Sequence, residues 1–124
     1  MINKNKKILV VDDDSHIRQL VKDNLKEENY EVFTANDGLS AMDLIDRVKP
    51  DLIILDVMMP DMDGWEVCKT VRDRGENTKI IMLTARSTSR DQMIGRRILK
   101  ADEYLTKPFD IEELLLQTRR LLEF

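Results

Sequence analysis

The chain has 124 residues, of which 42% are hydrophobic and 35% charged, and a formal net charge of -4. That length fits one compact domain, and the composition buries a core under a hydrated surface, which excludes intrinsic disorder. Apolar runs of only about four residues exclude a membrane-spanning helix, and the mild acidity argues against direct nucleic-acid binding by this chain.

The chain opens with Asn3-Lys4-Asn5-Lys6-Lys7 before Ile8-Leu9-Val10-Val11, a start that mimics a signal peptide. Asp12-Asp13-Asp14 cuts the apolar segment short, so no export signal is read. Cys68 is the single cysteine and cannot form an internal disulfide; a reducing cytoplasm is therefore the expected setting.

Short β-branched runs alternate with helix-period segments. The first run, Lys7 to Val11, predicts a strand buried on both faces. Asp14 then caps a helix whose apolar stripe is Ile17, Leu20, Val21 and Leu25. The more mixed Glu31 to Thr34 reads as an edge strand, and Ala41, Leu44, Ile45 and Val48 form the second stripe. Asp51 to Leu55 is the third strand. Asp63 is a plausible cap for a third helix, whose stripe is Val67, Cys68 and Val71, with Cys68 as core filler. Lys79 to Leu83 and Asp102 to Leu105 are the remaining strands. The last helix starts at Asp110, which forms a capping box with Glu113, and buries Leu114, Leu115, Thr118 and Leu122.

Five βα units predict an open α/β fold: a doubly wound parallel sheet with right-handed crossovers and helices on both faces. An eight-fold barrel needs about twice the residues. The reading is one domain over residues 1–124, with no output domain in this chain.

Ligands of such sheets bind beyond the carboxyl ends of the strands, so the residues that close each run carry the information. They are Asp12-Asp13-Asp14, Asp56, Thr84-Ala85 and Thr106-Lys107-Pro108. Converging carboxylates repel one another and must protonate or recruit a cation. Oxygen-only donors without histidine or cysteine select a hard ion such as Mg²⁺, which needs one or two carboxylates. One aspartate is then free as a nucleophile, with Lys107 as a second positive group. These are the parts of phosphoryl transfer to aspartate.

The runs Ile8 to Asp13, Leu55 to Gly64, Leu83-Thr84-Ala85 and Tyr104 to Phe109 resemble the receiver domain of two-component response regulators, in order and over essentially the whole chain. The resemblance implies a flavodoxin-like (βα)5 sheet of strand order 2-1-3-4-5. It implies that Asp56 is the phosphoacceptor. Asp13 would bind Mg²⁺ directly, Asp12 mainly through water, and Met58 through its backbone carbonyl, with Asp56 completing the metal set. Lys107 and the Thr84 hydroxyl would bind the phosphoryl oxygens, and a cis Lys107–Pro108 bond would help aim the lysine. Ala85 is small enough to admit reactants, and Met58 and Arg86 hold the two positions that tune dephosphorylation in the family. Tyr104, read as two strands from Thr84, would turn inward with it as the switch.

The implied partners are a histidine kinase or histidine phosphotransfer protein upstream. Downstream, a face of helix four, strand five and helix five would meet an effector or a second copy of the chain. Asp102, Glu103, Arg119 and Arg120 would be available for ion pairs between copies. The implied chemistry is self-catalysed phosphorylation and dephosphorylation in the service of a switch. A phosphorylation-independent docking module is the alternative, which the joint presence of Asp12, Asp13, Asp56, Thr84 and Lys107 disfavours. A flavodoxin is disfavoured because Asp12-Asp13-Asp14 would repel a phosphate. A Mg²⁺-dependent aspartyl-phosphate hydrolase usually carries its nucleophile on the first strand's motif.

Other features have blander readings. His16 sits on the exposed side of helix one. Asp61-Met62-Asp63-Gly64 is a turn, because a calcium loop would place Met59 first and Thr70 twelfth. Helix four departs from the family: Lys100 occupies a left-handed cap, Gly95 interrupts the interior, and Arg97 replaces an apolar residue beside displaced Ile98 and Leu99. It is expected to be the least stable helix, shifted in register or dependent on a partner.

Overall fold

The computed structural model describes residues 6–123. The residues Asn3 to Asn5 of the signal-like start lie outside them. The strands are β1 (Lys7–Val11), β2 (Glu31–Ala35), β3 (Leu52–Leu55), β4 (Lys79–Thr84) and β5 (Glu103–Thr106). The α-helices are α1 (Ser15–Glu27), α2 (Gly38–Val48), α3 (Gly64–Asp73), α4 (Ser89–Met93) and α5 (Ile111–Leu122). A π turn, Ile94–Ile98, continues α4. No helix of the described residues is long and apolar enough to cross a membrane.

The sheet is wholly parallel in the order β2-β1-β3-β4-β5, as the resemblance implies. Alternation within the strands builds two cores. Ile8 and Val10 of β1 pack with Val21 and Leu25 of α1 and Leu114 of α5, while Leu9 and Val11 pack with Ala41, Ile45, Val67 and Cys68 on the other face. Each core buries several aliphatic side chains worth about 1.5–3 kcal/mol apiece. Cys68 is core filler as expected: its thiol donates to Leu99 O at 3.3 Å, and burial pushes it up to about 11.

Two local expectations need correction. Leu20 is not on the buried stripe of α1; it is 45% exposed, one residue before the inward Val21. Asp110 does cap α5, accepting from the Glu112 amide, but Glu113 forms no box with it and instead accepts from Gln117. The reciprocal box is at α4, where Thr88 and Asp91 exchange side-chain-to-backbone bonds. Asp14 and Asp63 cap α1 and α3 as read from the sequence.

The departure in helix four takes the form of the π turn. Leu99 N–H reaches back five residues to Ile94 O at 2.9 Å, so the backbone accommodates more residues per turn than an α-helix does. Leu99 packs against the core, while Arg97 is exposed and Ile98 is 60% exposed. Lys100 then takes a left-handed conformation at φ 60°. Its side chain is exposed, and its carbonyl accepts from Arg72 Nε at 3.0 Å, a contact that glycine would keep. Lys100→Gly should therefore stabilise the fold by about 1 kcal/mol. A rise of roughly 4 °C in the melting midpoint is the expected reading, and a fall would contradict it.

Candidate functional site

β1 and β3 are neighbours with Val11 opposite Leu55, so the next residues of each strand, Asp12 and Asp56, meet at one edge. This is where the chain order reverses across the sheet. Both carboxylates are buried, whereas Asp13 is exposed. Lys107, following β5, reaches across the edge: its Nζ lies 2.6 Å from Asp12 Oδ2 and 2.9 Å from Asp56 Oδ2. The Lys107 amide donates to Thr84 O at 2.8 Å, which ties the loop after β5 to the end of β4. The Lys107–Pro108 bond is cis, as implied by the resemblance.

The remaining bonds fix the acids. Asp56 Oδ1 accepts from the Met58 amide at 3.0 Å, and Asp12 Oδ1 accepts from the Asp14 amide at 2.9 Å. Burial pushes Asp12 above the usual carboxylate range against the bonds from Lys107 and Asp14, and the Asp56 charge adds to the push. Burial also works to lower the Lys107 ammonium, but its bonds to Asp12 and Asp56 prevail and hold it above the ordinary lysine value. Lys107 is thus a fixed positive charge between two acids. With three carboxylates on the edge, it compensates for only part of their charge.

Asp12, Asp13 and Asp56 each offer a carboxylate oxygen, all within 4.8 Å of one another. The donors are hard oxygens carrying uncompensated negative charge, and that chemistry fits Mg²⁺. Met58 adjoins them with its side chain 54% exposed, and Ala85 is exposed beside buried Thr84. The Thr84 hydroxyl accepts from the Arg86 amide at 3.3 Å.

Tyr104 lies on the strand adjacent to Thr84, not two strands away: it pairs with Met82, and Thr84 pairs with Thr106. Its ring points inward at 3% exposure, and its hydroxyl donates to Arg86 O at 2.7 Å. Burial, then the Asp91 charge, push the phenol up to about 12. His16 is exposed, as expected, and its Nδ1 lies 3.6 Å from Asp14 Oδ1.

Sequence reasoning missed several contacts around this edge. Arg18 of α1 donates to the Asp12 carbonyl at 2.7 Å. Asp61 accepts from the Gly38 and Leu39 amides, both at 3.1 Å, and so fastens the turn before α3 to the start of α2. The Arg86 guanidinium lies 4.7 Å above the Trp65 ring and 3.0 Å from Asp91. Each is a contact between elements, invisible to local pattern. A surface hollow of about 610 Å³ around Lys49, Pro50 and Arg74 lies at the opposite end of the strands and includes none of the predicted site residues.

The charged residues read as available for pairing between copies are engaged within the chain. Asp102 binds Arg72 and the Ile80 amide, Glu103 binds Arg96, Arg119 binds Glu28, and Arg120 binds Gln117.

Comparison with known proteins gives a consistent assignment. The family described as response regulator receiver domain matches residues 8–119. Response regulator MprA of Mycobacterium sp. (strain KMS) is 46% identical over 116 residues, which are 94% of this chain and 50% of that protein. The chain thus spans about half the length of the curated relatives it matches. Among solved structures, the Francisella response regulator 1452 receiver domain is similar at a TM-score of 0.90 and 37% identity, covering 95% of this chain and 97% of that one. The response regulator TrrA from Thermotoga maritima, in complex with Mg(2+)-BeF, is similar at 0.84 and 42% identity, covering 94% and 99%.

Proposed function

The chain belongs to the response regulator receiver domain family, and from that premise we propose that it accepts a phosphoryl group on Asp56 from a histidine kinase or histidine phosphotransfer protein. The observation that carries this reading is the Lys107 ammonium held between Asp12 and Asp56 at a three-carboxylate edge. A cytoplasmic setting belongs to the same proposal.

Asp56 is the nucleophile. One of its oxygens forms a bond to phosphorus as the phosphorus–nitrogen bond of phosphohistidine breaks, and the imidazole nitrogen leaves with the electron pair and takes up a proton. Lys107 already contacts Asp56 Oδ2, so its charge stands beside the oxygens that arrive. The Met58 amide holds Asp56 Oδ1 and fixes the carboxylate plane during attack. Asp12, Asp13, Asp56 and the Met58 carbonyl would hold Mg²⁺, which when bound offsets the charge of the phosphoryl oxygens; the Thermotoga relative carries Mg(2+)-BeF. The Thr84 hydroxyl, which accepts from the Arg86 amide, has its own O–H free to donate to a phosphoryl oxygen. Hydrolysis follows when water attacks the phosphorus and returns the Asp56 carboxylate. Exposed Ala85 leaves that approach open, whereas Met58 and Arg86 flank it.

The new charge at this edge biases the packing of α4, β5 and α5, the face that meets an effector or a second copy. The test is intact mass after incubation with a small phosphodonor, with and without Mg²⁺. A gain of one phosphoryl group that requires Mg²⁺ is expected. Folded protein that gains nothing under either condition would overturn the proposal in favour of a phosphorylation-independent docking module.

A further inference from the structure

Gly95 and the π turn build a receptacle for the Tyr104 ring. Gly95 is buried, and a Cβ built there would fall 2.7 Å from both Cδ2 and Cε2 of Tyr104, with Met82 Cγ at 4.0 Å. The ring therefore lies directly on a surface that only glycine leaves open. The backbone around it is fixed on both sides: Leu99 N–H bonds to Ile94 O at 2.9 Å, and Ala101 N–H bonds to Gly95 O at 2.8 Å. Arg96 closes the outer side, donating to Tyr104 O at 3.3 Å and pairing with Glu103 at 2.7 Å.

The far end of the ring is held as well. Its hydroxyl bonds to Arg86 O, the Arg86 amide bonds to the Thr84 hydroxyl, and the Arg86 side chain is clamped by Asp91 and Trp65. These partners belong to the end of β4, the β4–α4 loop, α3 and α4. None requires a change at Asp56.

We propose that in this chain the Gly95 receptacle holds Tyr104 inward irrespective of the state of Asp56, so that phosphorylation works through Thr84 and Arg86 on a ring already seated. The family resemblance implies that the tyrosine turns inward with the threonine; here the seat is built by the helix itself. π turns recur at functional positions because they re-aim neighbouring side chains, and this one sets Gly95 under the ring. The inference concerns regulation of the proposed site and takes its signalling meaning from that reading, but the ring's position is testable without it.

The chain has two tyrosines, Tyr30 and Tyr104, both buried, so 3-fluorotyrosine gives two ¹⁹F resonances that Tyr104→Phe assigns. Their protection from a soluble paramagnetic agent would be measured before and after treatment with phosphodonor and Mg²⁺, and in Gly95→Ala. Both resonances should be protected in untreated protein, and treatment should leave Tyr104 protected. Gly95→Ala should expose Tyr104 and leave Tyr30 protected, which also reports that the fold survives. A Tyr104 resonance that is exposed at first, or protected only after treatment, would overturn the proposal, as would a folded Gly95→Ala chain with Tyr104 still protected. Should Gly95→Ala expose both tyrosines by unfolding, protection of Tyr104 in the untreated native chain decides the matter. A chain that gains no phosphoryl mass but protects Tyr104 would sink the phosphoacceptor reading and keep the receptacle.

Discussion

Asp56→Asn should abolish the gain of phosphoryl mass at every Mg²⁺ concentration while leaving the chain folded. Asparagine has nearly the shape of aspartate, and its carbonyl can still accept from the Met58 amide, the bond that Asp56 Oδ1 now makes at 3.0 Å. Its amide oxygen is no substitute for a carboxylate nucleophile. Lys107 keeps its 2.6 Å bond to Asp12, so no buried ammonium is left alone. Asp12 is held above the usual carboxylate range chiefly by burial, and the Asp56 charge worsens this; removing that charge relieves it. The stability cost should therefore stay within about 1 kcal/mol, the range of a substitution that strands no buried group. Intact mass of the variant beside the wild type is the measurement. Phosphoryl gain that persists in the variant would move the acceptor to another carboxylate, with exposed Asp13 the first to examine.

How much of this could be read from the sequence depended on whether a feature was local. The five strands were legible as short runs, with ends within about one residue of those observed; β1, β3 and β4 are buried on both faces and leave a dense apolar pattern, whereas the edge strands β2 and β5 are only partly buried. The site was legible in kind for the same reason: Asp12 and Asp56 directly follow β1 and β3, and a parallel sheet gathers strand ends at one edge. The strand order was not legible from pattern and came with the family resemblance. Contacts between elements stayed hidden. Nothing in the spacing of Asp61 announces that it accepts from the start of α2, and Glu113 met the local rule for a capping box while its carboxylate found Gln117 instead. Helix four looked wrong for the opposite reason. Gly95 weakens a helix considered alone, yet it is required once Tyr104 of β5 is laid against it. The local cost and the tertiary gain belong to one residue.

Gly64 carries the same lesson at the site itself, with a larger expected effect. It opens α3 immediately after the turn Asp61–Asp63, and its amide donates to Val57 O at 3.0 Å. A Cβ at this position would fall 2.1 Å from the carbonyl oxygen of Asp56, 2.8 Å from its carbonyl carbon and 2.9 Å from the Val57 Cα. These are backbone atoms at the end of β3, and no side-chain rotation relieves the clash. Gly64→Ala must push α3 off the strand end, loosen Val67, Cys68 and Val71 in the core, and shift the backbone that aims Asp56. A cost of about 3 kcal/mol is expected, at the upper end for overpacking, and a fall in melting midpoint of roughly 10 °C. Phosphoryl gain should fall as well, because the proposed nucleophile moves with its strand. Gly75→Ala is the matched control: Gly75 sits at φ +73° with nothing within 4 Å of its Cβ direction, so only backbone conformation is charged there, about 1 kcal/mol. Thermal melts of both variants, followed by the phosphodonor assay, separate the two effects. If Gly64→Ala costs no more than Gly75→Ala, the close approach of α3 to Asp56 does not hold the site, and its rigidity must come from the Lys107 bridge and the Met58 and Asp14 amides.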